Sequence, residues 1–335
     1  MVLYHFLIWN HSDLTGGGPF ADHWDVVSGV LGRIRMPVLL ALSGMLAARG
    51  LSLGWKSGTG LRSAVANYYL YVVWLTVYML FYAVVGSAEL LHSVDGWGDW
   101  ASQLLRPETT LWYLFALAAF ALVVTAMKAW AVPAWAAYAL GAAAWLVGTF
   151  AAVDTASGKL LRNFVFFVIG VYATTLIRKA ATLSWGWAAG LLVAFVALAH
   201  VGLAQGNAIG FHLLYLAAGL VAIPMLVTVV AQLCRIPGVG RVGSFVGART
   251  LSIYVLHIPL IGVLAAVLPE IPAVVSLAST KVGDLVIPPL ATLAVIAASL
   301  VVFEVLKRIP GNPLFAAPGV LIRRLPSSAP PEKVR

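Results

Sequence analysis

Charged residues are scarce in this chain of 335 residues. They make up 10% of it, while hydrophobic residues make up 61%, against about 25% and about 45–50% in soluble globular proteins. So few polar side chains cannot cover a surface that faces water, which excludes an ordinary soluble domain. The composition therefore predicts an all-α protein, a polytopic bundle of transmembrane helices.

Cysteine is nearly absent too, because Cys234 is the only one. A single cysteine forms no internal disulfide, and no group of cysteines and histidines has the spacing of a structural zinc or iron–sulfur site. Residues 11–25 contain two histidines and three aspartates, but their spacing matches no defined metal site. We therefore expect no metal site and no bound cofactor.

Nine apolar stretches are long enough, at about 17–25 residues each, to cross about 30 Å of hydrocarbon as helices. They lie at 29–48, 67–86, 111–127, 132–152, 160–177, 184–204, 212–232, 248–268 and 285–306. A shorter stretch at 1–10 adds a partial span, so we predict about ten spans. Because this stretch reaches only about 13 Å as a helix, we expect the first helix to be truncated at its N terminus.

The basic residues are unevenly distributed over the loops. When the loops are assigned alternately to the two sides, 15 of the 21 basic residues fall on one side and ten of the 12 acidic residues fall on the other. Cytoplasmic loops carry the excess of Lys and Arg, so both termini are predicted to be cytoplasmic. The positive charge follows this membrane pattern and forms no single stripe, which predicts the lipid bilayer as a partner and excludes nucleic acid.

Two parts are predicted along the chain. Residues 1–306 form the transmembrane domain, and residues 307–335, rich in proline and basic residues, form a cytoplasmic tail. The spans show no repeat at a fixed period, which disfavours a transporter built from duplicated halves. Gly186 and Gly190 have the small-xxx-small spacing that is typical of helix packing in membranes.

Few polar side chains lie at membrane depth, and each is a candidate functional residue because its burial there is costly. In chain order they are His5, Arg33, Arg35, Ser43, Tyr254 and His257. Structural roles stay open for all of them. A histidine can hydrogen-bond a neighbouring helix, an arginine can extend to the interface, and Tyr254 or Trp112 can belong to the aromatic belts.

Five local patterns follow one another along the chain. They are Val2-Leu3-Tyr4-His5, residues 35–46 with Met36-Pro37 and Ser43-Gly44, Leu111-Trp112-Tyr113-Leu114, the Phe-rich stretch 163–170 that ends in Gly170, and residues 252–257 with Tyr254 and His257. In order and spacing they resemble the acyltransferase 3 family of integral membrane acyltransferases, which includes bacterial glycan O-acetylases. The resemblance covers nearly the whole membrane region.

This resemblance implies an O-acyltransferase that moves an acyl group, most often acetyl from acetyl-CoA, to a hydroxyl of a carbohydrate, a glycolipid or another cell-envelope or secondary-metabolite acceptor. It implies His5 as the general base that takes the proton of the hydroxyl. Arg35 or Arg33 is the expected cation that stabilises the oxyanion of the tetrahedral intermediate. The protein is expected to be a multi-pass protein of the bacterial plasma membrane.

The remaining site residues are expected to bind the two substrates. Contacts to the acceptor are expected from Ser43, Trp112, Tyr254 and His257. Contacts to the phosphates of acyl-CoA, which is a co-substrate, are expected from Arg62, Lys56 and Arg241 on the cytoplasmic side.

Two features depart from the family pattern. The family has a basic residue before its first-helix histidine, at a position that here precedes Met1. Ala66 stands in the second place of an Arg-x-x-x-Arg pair whose first place is Arg62. Three alternatives stay open: a transporter or flippase of a polar lipid or glycan, a member of the other large group of histidine-dependent multispanning O-acyltransferases, and an inactive scaffold. Thioester cleavage that depends on His5 separates the enzymes from the transporter.

Overall fold

The computed structural model describes residues 1–11, 14, 18–85, 93–152, 155–203, 208–323 and 325. All the regular structure in these ranges is helical, which confirms the all-α prediction. In chain order the helices are α1 (Val2–Phe6), α2 (Ala21–Leu51), α3 (Thr59–Val85), α4 (Trp97–Gln103), α5 (Trp112–Ala129), α6 (Ala134–Leu146), α7 (Ala156–Tyr172), α8 (Thr174–Ala180), α9 (Trp185–Leu203), α10 (Ala208–Leu233), α11 (Val239–Gly247), α12 (Thr250–Val267), α13 (Pro272–Ala278), α14 (Lys281–Leu306) and α15 (Gly319–Arg323). Single π turns extend α1 over Leu7–His11 and α6 over Val147–Ala151, and 3-10 turns lie at Gly54–Ser57 and Leu268–Glu270.

Each of the nine full spans predicted from sequence overlaps a helix of the structure. Within the described ranges, eight helices are long and apolar enough to cross a membrane. The predicted span at 160–177 is instead a pair of helices, α7 and α8, that meet at an angle of 81°. The partial span at 1–10 corresponds to α1 and its π turn. The total of ten spans and the cytoplasmic placement of the termini stay predictions.

Contacts along the chain divide it into two compact units. The first unit contains Met1–Gly32, Leu70–Trp112 and Ser244–Ala316, and the second contains Arg33–Tyr69, Tyr113–Gly243 and Ala317–Arg335. Helices α2, α3, α5 and α11 therefore contribute residues to both units.

Two prolines leave backbone carbonyls of the first unit without their usual helical donors, and buried aromatic side chains supply replacements. Pro259 in α12 has no N–H for the carbonyl of Val255 four residues earlier, and the hydroxyl of Tyr78 donates to that carbonyl at 3.0 Å. Pro288 in α14 likewise leaves the carbonyl of Asp284 without a helical donor. This carbonyl accepts from the indole N–H of Trp24 at 2.9 Å. These bonds hold α12 to α3 and α14 to α2.

The segment that follows α14 also packs on the first unit. The indole N–H of Trp74 donates to the carbonyl of Leu314 at 2.6 Å. The ring of Phe315 lies 5.7 Å from that of Trp74 and 4.8 Å from that of Phe303. Arg324 and residues 326–335 of the predicted cytoplasmic tail lie outside the described residues, and the domain boundary at 306 stays a prediction.

In the second unit, α2 and α7 cross with their backbones in contact. A Cβ atom on Gly44 would lie 2.3 Å from the carbonyl oxygen of Phe167, and one on Gly170 would lie 2.1 Å from that of Ala41. Both positions therefore require glycine, because only a residue without a side chain lets two helix backbones approach so closely. The Ser-Gly pattern of α2 and the Gly-ended pattern of α7 are the two sides of one helix crossing.

Candidate active site

Buried histidine and acidic side chains are confined to one of the two units. Among the described residues they are His5, His11, His257 and Asp284, and all four belong to the first unit. The buried polar side chains of the second unit are uncharged: Thr125, Thr149, Thr228 and Gln232. Burying an ionisable group in an apolar bundle is costly and usually marks function, so the first unit holds the candidate active site.

His5 lies at the centre of a buried aromatic cluster. Its side chain is on α1 and is only 7% exposed. Its ring centroid lies 4.9 Å from that of Trp9 and 5.2 Å from those of Tyr4 and His257. The structure thus brings together His5 and His257, which the sequence had identified separately in the first and ninth predicted spans.

His257 is fully buried on α12, and its hydrogen bond defines its tautomer. Its Nδ1 lies 2.6 Å from the carbonyl oxygen of Tyr254. A carbonyl only accepts, so Nδ1 carries the hydrogen, and in the neutral form of the ring Nε2 is the nitrogen that accepts. His257 therefore has the chemical means to accept a hydrogen bond or a proton at Nε2.

Tyr254 and Trp112, two predicted acceptor contacts, are also buried in the first unit. The hydroxyl of Tyr254 donates to the carbonyl of Thr110 at 2.5 Å. This bond ties α12 to the turn that precedes Trp112, the first residue of α5. Whether these two side chains contact an acceptor stays a prediction.

Three predicted site residues, Arg33, Arg35 and Ser43, lie on α2 within the second unit. Arg33 lines a small cavity together with Phe211 and Tyr215. The hydroxyl of Ser43 lies 2.7 Å from the carbonyl oxygen of Leu39, to which it can donate. It also lies 2.6 Å from the hydroxyl of Tyr113, and either hydroxyl can be the donor of that bond. Ser43 and Tyr113 come from two of the patterns that carry the family resemblance.

The predicted acyl-CoA contacts, Lys56, Arg62 and Arg241, also belong to the second unit. Lys56 is exposed in the 3-10 turn after α2, and Arg241 is exposed on α11. Arg62 is partly buried on α3, and its Nη2 donates to the carbonyl of Leu325 at 3.3 Å. Their role in binding acyl-CoA stays a prediction.

One buried pair, His11 with Asp284, was not predicted from the sequence. Nε2 of His11 lies 2.6 Å from Oδ1 of Asp284. The two residues are 273 positions apart, and the one signal in the sequence is an aspartate close to Pro288-Pro289 in an apolar stretch. Asp13, which shares the 11–25 stretch with His11, lies outside the described residues. Within the described part of the chain, no three His, Cys, Asp or Glu side chains are arranged to hold a metal ion.

Two glycine-rich stretches have the spacing of known catalytic or nucleotide-binding motifs without their structural context. Residues 50–54 read Gly-Leu-Ser-Leu-Gly, and residues 238–243 read Gly-Val-Gly-Arg-Val-Gly. A nucleophile elbow and a dinucleotide fingerprint both follow a β-strand. Here the first stretch spans the end of α2 and the second opens α11, with no strand in any described range. Neither is a candidate site.

Comparison with known protein families extends these observations to nearly the whole chain. The family model of the acyltransferase 3 family, described as an acyltransferase domain, matches residues 1–306. Comparison with curated proteins and with solved structures gave no match. The matched region contains every residue that the sequence identified as a candidate, from His5 to His257.

Proposed function

The chain belongs to the acyltransferase 3 family, and from this premise we propose that it transfers an acyl group, with acetyl as the first choice, from acyl-CoA to a hydroxyl group. Family membership and the eight apolar helices make it a multi-pass membrane acyltransferase. The proposed acceptor is a carbohydrate, a glycolipid or another cell-envelope or secondary-metabolite molecule, and the proposed location is the bacterial plasma membrane. The observation that carries the proposal is the buried ring pair of His5 and His257.

His5 is the proposed general base, because a hydroxyl is a weak nucleophile until its proton is removed. His5 takes that proton while the hydroxyl oxygen attacks the thioester carbonyl. The new C–O bond forms, the tetrahedral intermediate collapses, and the C–S bond breaks. The proton passes from His5 to the departing thiolate, so an ester and free CoA are released and His5 is neutral again.

The other predicted roles complete this proposal. Arg35 or Arg33 supplies positive charge for the oxyanion. Arg62, Lys56 and Arg241 bind the phosphates of acyl-CoA, a co-substrate, and Ser43, Trp112, Tyr254 and His257 contact the acceptor. These roles rest on the family resemblance and on the residue types.

The test is acyl-CoA turnover by purified protein with a panel of glycan and glycolipid acceptors. A thiol reagent detects the released CoA, so all variants carry Cys234→Ser, because Cys234 is exposed and would react. Acceptor-dependent release is expected in this background. His5→Gln is expected to lower kcat by about 10²–10⁴-fold, the usual contribution of a general base. His212→Gln is the matched control, because His212 packs against Phe150 and Phe211 in the second unit.

Two results would reject the proposal. If His5→Gln keeps the wild-type rate, His5 is not the base. If no acceptor gives CoA release while the protein binds a glycan or lipid specifically, a transporter or flippase becomes the better reading of the buried polar residues.

A further inference from the structure

We propose that Asp284 holds the helix that carries His5 in position. It does so through a buried junction whose residues have none of the catalytic roles proposed above. The Asp284 junction consists of Asp284, His11, Phe20 and Trp24. It makes Asp284 and His11 positioning residues for His5, and in this respect it rests on the proposed function.

Every polar group that Asp284 presents to its neighbours has a partner. Oδ1 accepts from Nε2 of His11 and Oδ2 accepts from the backbone N–H of Phe20, both at 2.6 Å. The backbone carbonyl accepts from the indole of Trp24 at 2.9 Å. One residue of α14 therefore binds the segment after α1 and the start of α2.

The burial of Asp284 requires these partners. Its side chain has no exposed surface, and a carboxylate out of water is stable only when it is paired and hydrogen-bonded. Two short bonds, one of them from an imidazole, meet that need. Asp284 also lies in the first turn of α14, where the helix dipole favours negative charge. Removing one partner leaves a buried group without a bond, so the junction is a strong constraint.

His5 is linked to this junction by a short helix. α1 has five residues and continues directly into the π turn that ends at His11. His5 and His11 are six residues apart on this continuous helical run, which is about 9 Å of helix, so the bonds made at His11 constrain the position of His5. Within the π turn, the side-chain amide of Asn10 donates to the carbonyl of Ile261 on α12 at 3.4 Å. The His11 end is thus bound to α12 and α14, while the other end packs His5 against His257.

The consequence is a defined distance between His5 and its surroundings. General-base catalysis requires the imidazole within hydrogen-bond reach of the hydroxyl, and small displacements reduce the rate strongly. Loss of the junction is therefore expected to lower kcat while leaving KM for both substrates nearly unchanged.

The experiment compares four variants of the full chain. Asp284→Asn removes the charge and one of the two accepting oxygens of the junction, and His11→Ala removes its imidazole. His11→Gln keeps an N–H donor near the position of Nε2 and should restore the junction. Thr280→Ala is the matched control, because it removes the N-cap bond to Gly283 from the same end of α14 without touching α1.

Two readouts are measured on each variant. Mass spectrometry follows carbethoxylation of His5 by diethyl pyrocarbonate without any substrate, with His212 as the internal reference. Turnover assays give kcat and KM. Asp284→Asn and His11→Ala are expected to speed the labelling of His5 about tenfold and to lower kcat about tenfold, which is the effect of one lost hydrogen bond to a charged group. His11→Gln and Thr280→Ala are expected to stay within about twofold of the parent protein in both.

The outcomes separate this proposal from the proposed function. Unchanged His5 labelling in both junction variants overturns it, as does faster labelling with an unchanged kcat, which would mean a purely structural junction. Equal changes in His5 labelling and kcat in Thr280→Ala would also overturn the proposal, because any loosening of α14 would then account for them. If the parent protein turns over no acyl-CoA, the proposed function fails, and the labelling of His5 alone decides the junction. His11→Ala decides the question if Asp284→Asn does not fold.

Discussion

The interiors of the two compact units are held together by different means. The first unit relies on side chains that hydrogen-bond to other segments of the chain, such as Tyr78 to Val255, Trp74 to Leu314 and the Asp284 junction. The second unit also has such bonds, for example from Thr228 to Ala180, but α2 and α7 there meet backbone to backbone, at Gly44 and Gly170. Hydrogen bonds are directional and orient the groups that make them, whereas glycine contacts bring helices together without orienting any side chain. The buried histidines His5 and His257 both lie in the first unit, where directional bonds of this kind orient the helices that carry them.

The largest effect on stability is expected from a substitution at the crossing of α2 and α7 in the second unit. Gly170→Ala places a Cβ atom 2.1 Å from the carbonyl oxygen of Ala41 and 2.9 Å from the backbone nitrogen of Met45. Backbone cannot move aside as a flexible side chain can, so α2 and α7 must separate. We expect the free energy of unfolding to fall by about 3 kcal/mol or more, measured by unfolding of the purified protein in detergent.

Gly190→Ala provides the control for this prediction. Gly190 is also within a predicted span, but a Cβ atom there has nothing within 4 Å. Alanine is the better helix former, so this variant should be unchanged or more stable by up to about 1 kcal/mol. Equal destabilisation by both substitutions would show that close backbone contact is not what stabilises the second unit.

The next largest effect is expected from the loss of a hydrogen bond in the first unit. Tyr78→Phe removes the hydroxyl that donates to the carbonyl of Val255, which Pro259 leaves without a helical donor. A buried carbonyl without a partner costs about 1–3 kcal/mol. We expect a loss of that size in unfolding free energy, together with a several-fold lower kcat, because α12 also carries His257.

Tyr82→Phe is the matched control for Tyr78→Phe. Tyr82 is one turn further along α3, is equally buried, and packs its ring against Tyr78 and Phe81. The substitution deletes the same atom and should change stability by less than about 0.5 kcal/mol. If the two substitutions have the same effect, the hydrogen bond from Tyr78 to Val255 is not what stabilises the first unit.

The sequence predicted the helices well and their contacts poorly. A membrane span is a local property, since about 20 apolar residues suffice, and all nine full spans overlap helices. The 81° bend between α7 and α8 was missed because no proline marks it. Gly186 and Gly190 have the spacing for helix packing, yet Gly190 faces open space within the chain. Spacing shows which residues share a helix face but not what that face meets.

The candidate site was predictable to a similar degree. His5 and His257 each belong to a family pattern, so each could be named, but their contact is between residues far apart in the chain. For the pairing of His11 with Asp284, the sequence offers only the aspartate close to Pro288-Pro289. A polar residue near a proline in an apolar stretch signals a buried partner, and the identity of that partner requires the fold.

The smallest effect concerns a hydrogen bond in the second unit. The hydroxyl of Thr228 donates to the carbonyl of Ala180 at 2.9 Å or to that of Pro224 at 2.8 Å. Ala180 ends α8, and its carbonyl also accepts from the backbone N–H of Leu183 at 3.2 Å, so Thr228 is a second donor to it. Thr228→Val keeps the shape of the side chain and removes this donor, so we expect a loss of about 1 kcal/mol in unfolding free energy.

Turnover should stay the same in Thr228→Val, and this makes the variant informative despite its small effect on stability. The hydrogen bonds of Thr228 run to Ala180 and Pro224, which both lie in the second unit. Tyr78→Phe, with a comparable loss of stability, is expected to lower kcat. If Thr228→Val reduced kcat as much as Tyr78→Phe, turnover would follow overall stability, and the first unit would have no special relation to catalysis. A change confined to Tyr78→Phe would show that the hydrogen bonds of the first unit act through the position of His257.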